Sequence, residues 1–267
     1  MFKTRFLSGA VLVVLIAIVL YFGGCVTGAA TLLLSLGGAF ELLRIYKLHN
    51  TAMGVVCYIT TVVYYALIAL QKTEFIMPLI VGYVLISLAI YVIAYPRYRD
   101  SDAAAAIMTF LYVVVMLSYM YQIRLLEHGG ALVVLIFVCS WVNDTCAYLV
   151  GVKFGKHKMT PKLSPKKSIE GLIGGIGGAA LVGMGYGIFI NENVYHLNNA
   201  PLIFAITGAI GAMVAVIGDL AASAIKRNNE IKDYGKLIPG HGGIMDRFDS
   251  IIFTAPIIYY CLTFMLK

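Results

Sequence analysis

Nine long apolar runs, separated by short polar segments, organise the sequence. A bilayer core about 30 Å thick needs roughly 20 apolar residues per helix, and the runs approach or reach that length. The pattern predicts an all-α, polytopic integral membrane protein of about nine transmembrane helices, with residues 1–267 in a single transmembrane domain. We interpret the first run as a retained helix, because further runs follow it at once. The predicted spans are Leu7–Gly23, Val26–Leu43, Ala52–Leu70, Met77–Tyr95, Ala103–Ile123, Ala131–Gly151, Gly171–Ile190, Leu202–Ala222 and Phe248–Leu266.

The polar segments predict the orientation. Cytoplasmic loops collect Lys and Arg, and with the N-terminus inside, all but three of the 20 basic residues fall on the cytoplasmic side. We therefore expect a cytoplasmic N-terminus and an outside C-terminus. The chain is 61% hydrophobic and 12% charged, against roughly 25% charged residues in soluble domains. Its net charge of +7 is accounted for by topology and anionic lipid, so we predict no nucleic-acid partner.

Two predicted cytoplasmic loops, Val152–Glu170 and Lys226–Arg247, are longer than a connector needs to be. Long loops tend to carry function. We therefore assign residues 131–267 to catalytic helices and loops, and leave the helices of residues 1–130 without a role. The seventh span is rich in glycine, which indicates either tight packing within the protomer or a face that meets lipid or a second copy.

Ionisable residues inside spans are costly and mark candidate sites. Asp144 lies in the sixth run and Asp219 near the inner end of the eighth. They indicate either a shared polar cavity facing the cytoplasm or capped, hydrated helix ends. Asp219, Ser223 and Arg227 follow at intervals of four, which places a carboxylate, a hydroxyl and a guanidinium on one helix face.

The stretch Pro239–Gly243 cannot continue a helix. Its glycines let the backbone approach a ligand and present amide donors to phosphate. Asp246 and Asp249 follow, three residues apart. Carboxylates beside basic groups suit Mg²⁺ and phosphate-bearing substrates. The combination favours phosphoryl or nucleotidyl transfer over proton-coupled transport.

Three segments carry a family resemblance. Ser223–Asp249 contains Lys226-Arg227, Lys232-Asp233, Pro239-x-His241-Gly242-Gly243, Asp246-Arg247 and Asp249, preceded by blocks at Asn143–Gly155 and Ser164–Gly171. Together they resemble the phosphatidate cytidylyltransferase, or CDP-diacylglycerol synthase, family. Ser168 stands where threonine is more usual. The N-terminal half matches only as apolar helices, with Glu41 and Arg44 a weak echo.

The resemblance implies that CTP and phosphatidate react to give CDP-diacylglycerol and pyrophosphate for phospholipid synthesis. It also implies Mg²⁺, with a second cation left open, a homodimer in the lipid bilayer of a bacterial inner (cell) membrane, and a cytoplasmic active site.

Roles for single residues follow from the motifs and the resemblance together. Asp219 and Asp246 are the first candidates for metal ligands, and Asp144 and Asp249 the second. His241 either contacts the leaving pyrophosphate or organises the glycine turn. The predicted catalytic residues are Asp219, Asp246, Lys226, Arg227 and His241, and the predicted substrate-binding residues are Ser164, Lys166, Lys167, Ser223, Gly242 and Gly243.

Other functions stay open at this point. A CDP-archaeol synthase or a CTP-dependent polyprenol kinase would use CTP on another lipid. A lipid or ion transporter would also hold aspartates within its spans, although the lack of an internal repeat weighs against it.

Overall fold

A computed structural model describes residues 2–193, 199–237, 240 and 242–265, with side chains other than those of residues 2–8 and 193. Helices dominate this part of the chain. The helices are α1 Phe2–Phe22, α2 Gly24–Ile45, α3 Ala52–Ala69, α4 Thr73–Ile93, α5 Asp100–Leu125, α6 Gly129–Phe154, α7 Ile169–Asn193, α8 Ala200–Asn228 and α9 Met245–Met265, and the strands are β1 Lys158–Thr160 and β2 Ser164–Ser168.

Eight helices of the described chain, α2 to α9, are long and apolar enough to cross a membrane. They coincide with the second to ninth predicted spans, and the polytopic all-α prediction is confirmed. The first predicted span lies in α1, whose described apolar part is the shorter stretch Gly9–Phe22. α4 illustrates the fit to lipid. Its side chains Met77, Leu85 and Val92 are each more than 60% exposed, which would be costly in water and is favourable against acyl chains.

The chain divides into two compact units. The first contains residues 1–122 and 233–247, and the second contains residues 123–232 and 248–267. In the first unit, α2 to α5 surround an aromatic core. The ring of Phe110 lies 4.6 Å from that of Tyr83 and 5.8 Å from that of Tyr64. The Tyr83 hydroxyl donates to the Ala106 carbonyl at 2.9 Å, so this buried polar group has a hydrogen-bond partner within the first unit.

The second unit is built on close packing of α7 against α8. A Cβ on Gly183 would lie 2.7 Å from the Phe204 carbonyl oxygen, and one on Gly208 would lie 2.7 Å from that of Ala179. Only glycine lets the two backbones touch in this way. This favours tight packing within the protomer for that face of the seventh span. Gly177 and Gly185 have no described atom within 4 Å of such a Cβ, so the opposite face is open.

The loop predicted between the sixth and seventh spans is shorter and more ordered than expected. α6 continues to Phe154, and β1 and β2 form an antiparallel hairpin in which Lys158 pairs with Ser168 and Thr160 with Ser164. Glu170, in the first turn of α7, closes the connection. Its carboxylate accepts from the His157 Nδ1 at 2.6 Å and from the Lys156 and His157 backbone N–H groups at 3.2 Å.

Candidate functional site

Three aspartates and two lysines gather in the second unit. The carboxylates of Asp144 on α6 and Asp249 on α9 both interact electrostatically with Asp219 on α8. Lys167 on β2 forms an ion pair with the Asp219 Oδ2 and also interacts electrostatically with Asp144. Lys226, two turns beyond Asp219 on α8, interacts electrostatically with Asp249. We call these five residues the aspartate cluster.

The backbone contact between α8 and α9 explains why two of these carboxylates meet. A Cβ on Gly218 would lie 2.7 Å from the Asp249 carbonyl oxygen and 3.0 Å from the Phe253 Cβ. Glycine at position 218 therefore allows the helices to touch beside Asp219. Asp249 is oriented locally, because its Oδ1 accepts from the Ser250 backbone N–H at 2.7 Å. The Asp219 side chain stays 31% exposed and that of Lys167 stays 26% exposed, so a ligand can reach both.

The hairpin presents Lys167 because Ser168 anchors its end. The Ser168 hydroxyl accepts from the Gly171 backbone N–H at 3.1 Å and caps the start of α7. Ser168 is 5% exposed, and a Cβ on Gly155 would lie 2.7 Å from its Oγ. Gly155, just after α6, and Gly151 within it thus leave room for the capping hydroxyl. Lys166, in the same strand, is exposed, and Ser164 is half-buried.

The predicted polar face of the eighth span lies wholly within a helix. α8 extends to Asn228, six residues beyond the predicted end of that span, so the long loop begins after Lys226 and Arg227 instead of at them. The spacing of four therefore does align Asp219, Ser223 and Arg227. Ser223 is half-buried and Arg227 is exposed. Their predicted roles toward phosphate stay predictions.

The predicted substrate-binding residues Gly242 and Gly243 lie in the first unit, in the segment Tyr234–Met245, which we call the glycine loop. Asp246 directly follows it and is 9% exposed. Its Oδ2 accepts from the backbone N–H groups of Tyr234 at 2.8 Å and Gly243 at 2.9 Å. Gly242 has a φ of +85°, and a Cβ there would lie 2.7 Å from the same Oδ2, so only glycine fits. His241 lies outside the described residues.

These contacts give Asp246 a structural task beside its predicted one. A carboxylate oxygen that accepts two backbone N–H groups is held firmly in place. Asp246 stays a predicted metal ligand, as does Asp219. The prediction that the glycine loop and the aspartate cluster serve one active site also stays a prediction.

Glu41 on α2 is the polar residue that the motif analysis left without a role. It is 5% exposed. Its Oε1 accepts from the Ile244 N–H and its Oε2 from the Met245 N–H, each at 3.0 Å. One turn later, the Arg44 Nη2 donates to the Tyr234 carbonyl at 2.7 Å. The signal in the sequence was the weak match of Glu41 and Arg44 to the family pattern. A charged pair at the end of an apolar span is also unusual.

Comparison with known proteins places the chain in a family. Residues 3–265 match the family described as "Cytidylyltransferase family". The chain belongs to the cytidylyltransferase family. This finding confirms the resemblance and agrees with the signature residues of the aspartate cluster and the glycine loop.

Named relatives come from staphylococci. Phosphatidate cytidylyltransferase of Staphylococcus saprophyticus is 36% identical over 173 residues, which cover 65% of this chain and 64% of the relative. The enzyme of the same name from Staphylococcus aureus is 38% identical over 181 residues, covering 65% of this chain and 66% of the relative. That from Staphylococcus epidermidis is 36% identical over 179 residues, with 65% and 66% coverage. The matched region is thus just under two thirds of each relative's length.

The side chains of this cytidylyltransferase-family protein fit Mg²⁺ in part. No three His, Cys, Asp or Glu side chains of the described chain come close enough to enclose a metal ion by themselves. Mg²⁺, however, commonly takes one or two carboxylates and completes its shell with water and substrate phosphates. The aspartate cluster offers three carboxylates against only two lysines, and Asp219 is accessible. The donor set therefore suits a metal that arrives with a phosphate-bearing substrate.

Proposed function

We propose that this protein transfers the cytidylyl group of CTP to phosphatidate, giving CDP-diacylglycerol and pyrophosphate. One observation carries the proposal: a chain of the cytidylyltransferase family gathers Asp144, Asp219 and Asp249 with Lys167 and Lys226 in one accessible cluster. Neighbouring carboxylates and lysines can bind a metal and the phosphates that the metal neutralises.

The reaction needs positioning and charge neutralisation more than a strong base. A phosphate monoester is already a nucleophile near neutral pH. One of its oxygens forms a bond to the α-phosphorus of CTP, and the bond from that phosphorus to the bridging oxygen breaks, so that pyrophosphate leaves with the electron pair. Lys167 and Lys226 would bind phosphate oxygens and offset the charge that develops on them. Ser164, Lys166, Ser223 and Arg227 are the further predicted phosphate contacts.

Mg²⁺ would add positive charge to the triphosphate when bound, and one or two of the carboxylates of Asp219, Asp144 and Asp249 would hold it. In the protein alone, Lys167 keeps Asp219 paired. We expect Lys167 to shift toward a phosphate oxygen when substrate and metal arrive, because the metal competes with Lys167 for the Asp219 carboxylate.

The predicted topology supports CTP and phosphatidate as the substrates. CTP is cytosolic, and the charge distribution predicts a cytoplasmic N-terminus and active site. The resemblance implies that the membrane is a bacterial inner membrane. Phosphatidate is a lipid of the bilayer that α2 to α9 are suited to cross. The resemblance also implies a homodimer, and the mass of the detergent-solubilised protein by light scattering checks it.

An assay with labelled CTP tests the proposal. Purified protein in lipid nanodiscs is incubated with Mg²⁺, phosphatidate and CTP labelled at the α- or the γ-phosphorus. We expect the α-label in the lipid and the γ-label in pyrophosphate. γ-Label in a polyprenol would instead support a kinase, and transfer only to an archaeol-type lipid phosphate would support the archaeal-type synthase. Solute or lipid flux without CTP would support a transporter.

Paired variants tie the activity to the cluster. Asp219→Asn keeps the shape of the side chain and removes its charge, so we expect almost no lipid labelling. Asp100→Asn is the matched control, because Asp100 is exposed in the first turn of α5. Equal labelling by the two variants would remove Asp219 from the reaction.

A further inference from the structure

The start of α9 is capped from a distant helix. Helix N-termini leave backbone N–H groups without partners, and a Ser, Thr, Asp or Asn just before the helix usually accepts from them. Here Ile244 precedes α9 and has no acceptor in its side chain. The two oxygens of Glu41 instead accept from Ile244 and Met245, each at 3.0 Å. A carboxylate at this end of a helix also interacts favourably with the helix dipole.

Small residues on both sides make the contact specific. A Cβ on Gly235 or on Gly243 would overlap the Glu41 carboxylate, and a Cβ on Gly37 would overlap the Ile244 side chain. A Cβ on Gly38 would lie 3.4 Å from the Met245 sulfur. Met245 is fully buried and Ile244 is 7% exposed. The described ends of the glycine loop therefore pack closely against one face of α2.

Arg44 holds the other end of the glycine loop. Its Nη2 donates to the Tyr234 carbonyl at 2.7 Å, and the Tyr234 N–H donates to Asp246. Glu41 and Arg44 lie three residues apart, which puts them on the same face of α2. One helical turn thus fixes both the first residue and the last two residues of the glycine loop.

The held segment contains Gly242 and Gly243, whose backbone is predicted to contact substrate, and it leads directly into Asp246. We infer that Glu41, with Arg44, is a positioning residue that sets the glycine loop in its reactive position. The inference rests on the proposed cytidylyl transfer for its kinetic consequence, although not for its structural one. Glu41 itself needs no contact with substrate, because it acts through the backbone of the loop.

The test compares three variants of the full-length protein in nanodiscs. Glu41→Ala removes both acceptors. Glu41→Gln keeps the shape and one acceptor oxygen, but turns an amide N–H₂ toward a backbone donor. Ser35→Ala is the matched control on the same helix, because Ser35 is also buried and its hydroxyl bonds the hydroxyl of Tyr65 on α3, at 2.7 Å. The readouts are kcat and KM for CTP, and hydrogen exchange of the Ile244 and Met245 amides.

We expect Glu41→Ala to lower kcat about 100-fold, as misplacement by about 1 Å can do. We expect it to raise the KM for CTP about tenfold, the scale of one lost hydrogen bond between the displaced loop and a charged phosphate oxygen. The two amides should exchange at least about tenfold faster. Glu41→Gln should recover part of each effect, and Ser35→Ala should leave KM and the two amides unchanged.

Each other outcome has a definite meaning. A variant that merely unfolds in part lowers kcat at unchanged KM, so an unchanged KM in folded Glu41→Ala would overturn the inference. Slow exchange of both amides in Glu41→Ala would overturn it as well. If the unmodified protein transfers no cytidylyl group, the proposed function fails, while the amide exchange still decides whether Glu41 holds the loop.

Discussion

Gly218→Ala adds a single methyl group between two helices of the aspartate cluster and changes no functional group. The added Cβ would lie 2.7 Å from the Asp249 carbonyl oxygen. Ordinary contact begins near 3.4 Å, so α8 and α9 must separate locally by about 0.7 Å. The obstacle is backbone, and Phe253 blocks a sideways shift with its Cβ at 3.0 Å. The strain of such overpacking is typically 1–3 kcal/mol.

The displacement falls on the groups that the proposed function requires. Asp219 is the next residue on α8, and Asp249 carries the carbonyl that must move. A shift approaching 1 Å in a positioned group can reduce turnover by as much as about 100-fold. We therefore expect Gly218→Ala to lower kcat between about tenfold and 100-fold while the variant still inserts and folds.

Gly177→Ala is the matched control, since a Cβ at that position in α7 has no described atom within 4 Å. Both changes replace a helical glycine by alanine, which favours the helix by about 1 kcal/mol. This contribution is the same in the two variants and cancels in the comparison. Turnover is measured as α-label transferred to lipid, and thermal midpoints are measured on the same nanodisc samples. Equal turnover and equal midpoints in the two variants would refute the close α8–α9 contact as the feature that positions the carboxylates.

Three further predictions address charge, loop structure and metal. Lys167→Ala should strongly lower kcat/KM for CTP, because it leaves Asp219 beside two other carboxylates. Lys162→Ala, at the exposed turn of the hairpin, should retain normal kinetic constants. Similar losses of kcat/KM in both variants would mean a diffuse electrostatic effect. Asp246→Ala should abolish lipid labelling and also lower the thermal midpoint, since two buried backbone N–H groups lose their acceptor at about 1–3 kcal/mol each. Normal turnover would exclude Asp246 from the reaction. Chelation by EDTA should stop labelling and added Mg²⁺ should restore it, and full activity in EDTA would contradict a metal-dependent reaction.

The spans could be predicted because bilayer thickness fixes the length of an apolar run. α2 to α9 follow the predicted runs to within a few residues, apart from the ends where helices continue into polar sequence, as α8 does to Asn228. The gathering of Asp144 and Asp219 could also be predicted, since charges are retained within spans only where something uses them.

The β1–β2 hairpin and the cap on α9 could not be predicted in the same way. The strand Ser164–Ser168 reads Ser-Pro-Lys-Lys-Ser, which has neither the apolar alternation nor the β-branched residues of an ordinary strand. It is held instead by Glu170 and by the pairing with Lys158–Thr160. Glu41 meets Ile244 203 positions later, and no local pattern encodes a contact between residues so far apart. Asp246 was recognised by its motif, but its two bonds to backbone N–H groups depend on the path of the loop.

The long separation between Glu41 and its partners has a consequence for biosynthesis. The first unit consists of residues 1–122 and 233–247, so a ribosome must make 110 intervening residues before Ile244 can reach α2. Until then the Glu41 carboxylate has to stay hydrated or be shielded by other factors, because an unpaired carboxylate inside the bilayer is costly. A chain that stops before Tyr234 never gains the partners of Glu41. The Glu41 carboxylate is therefore paired with backbone N–H groups only after the chain has been made as far as Met245.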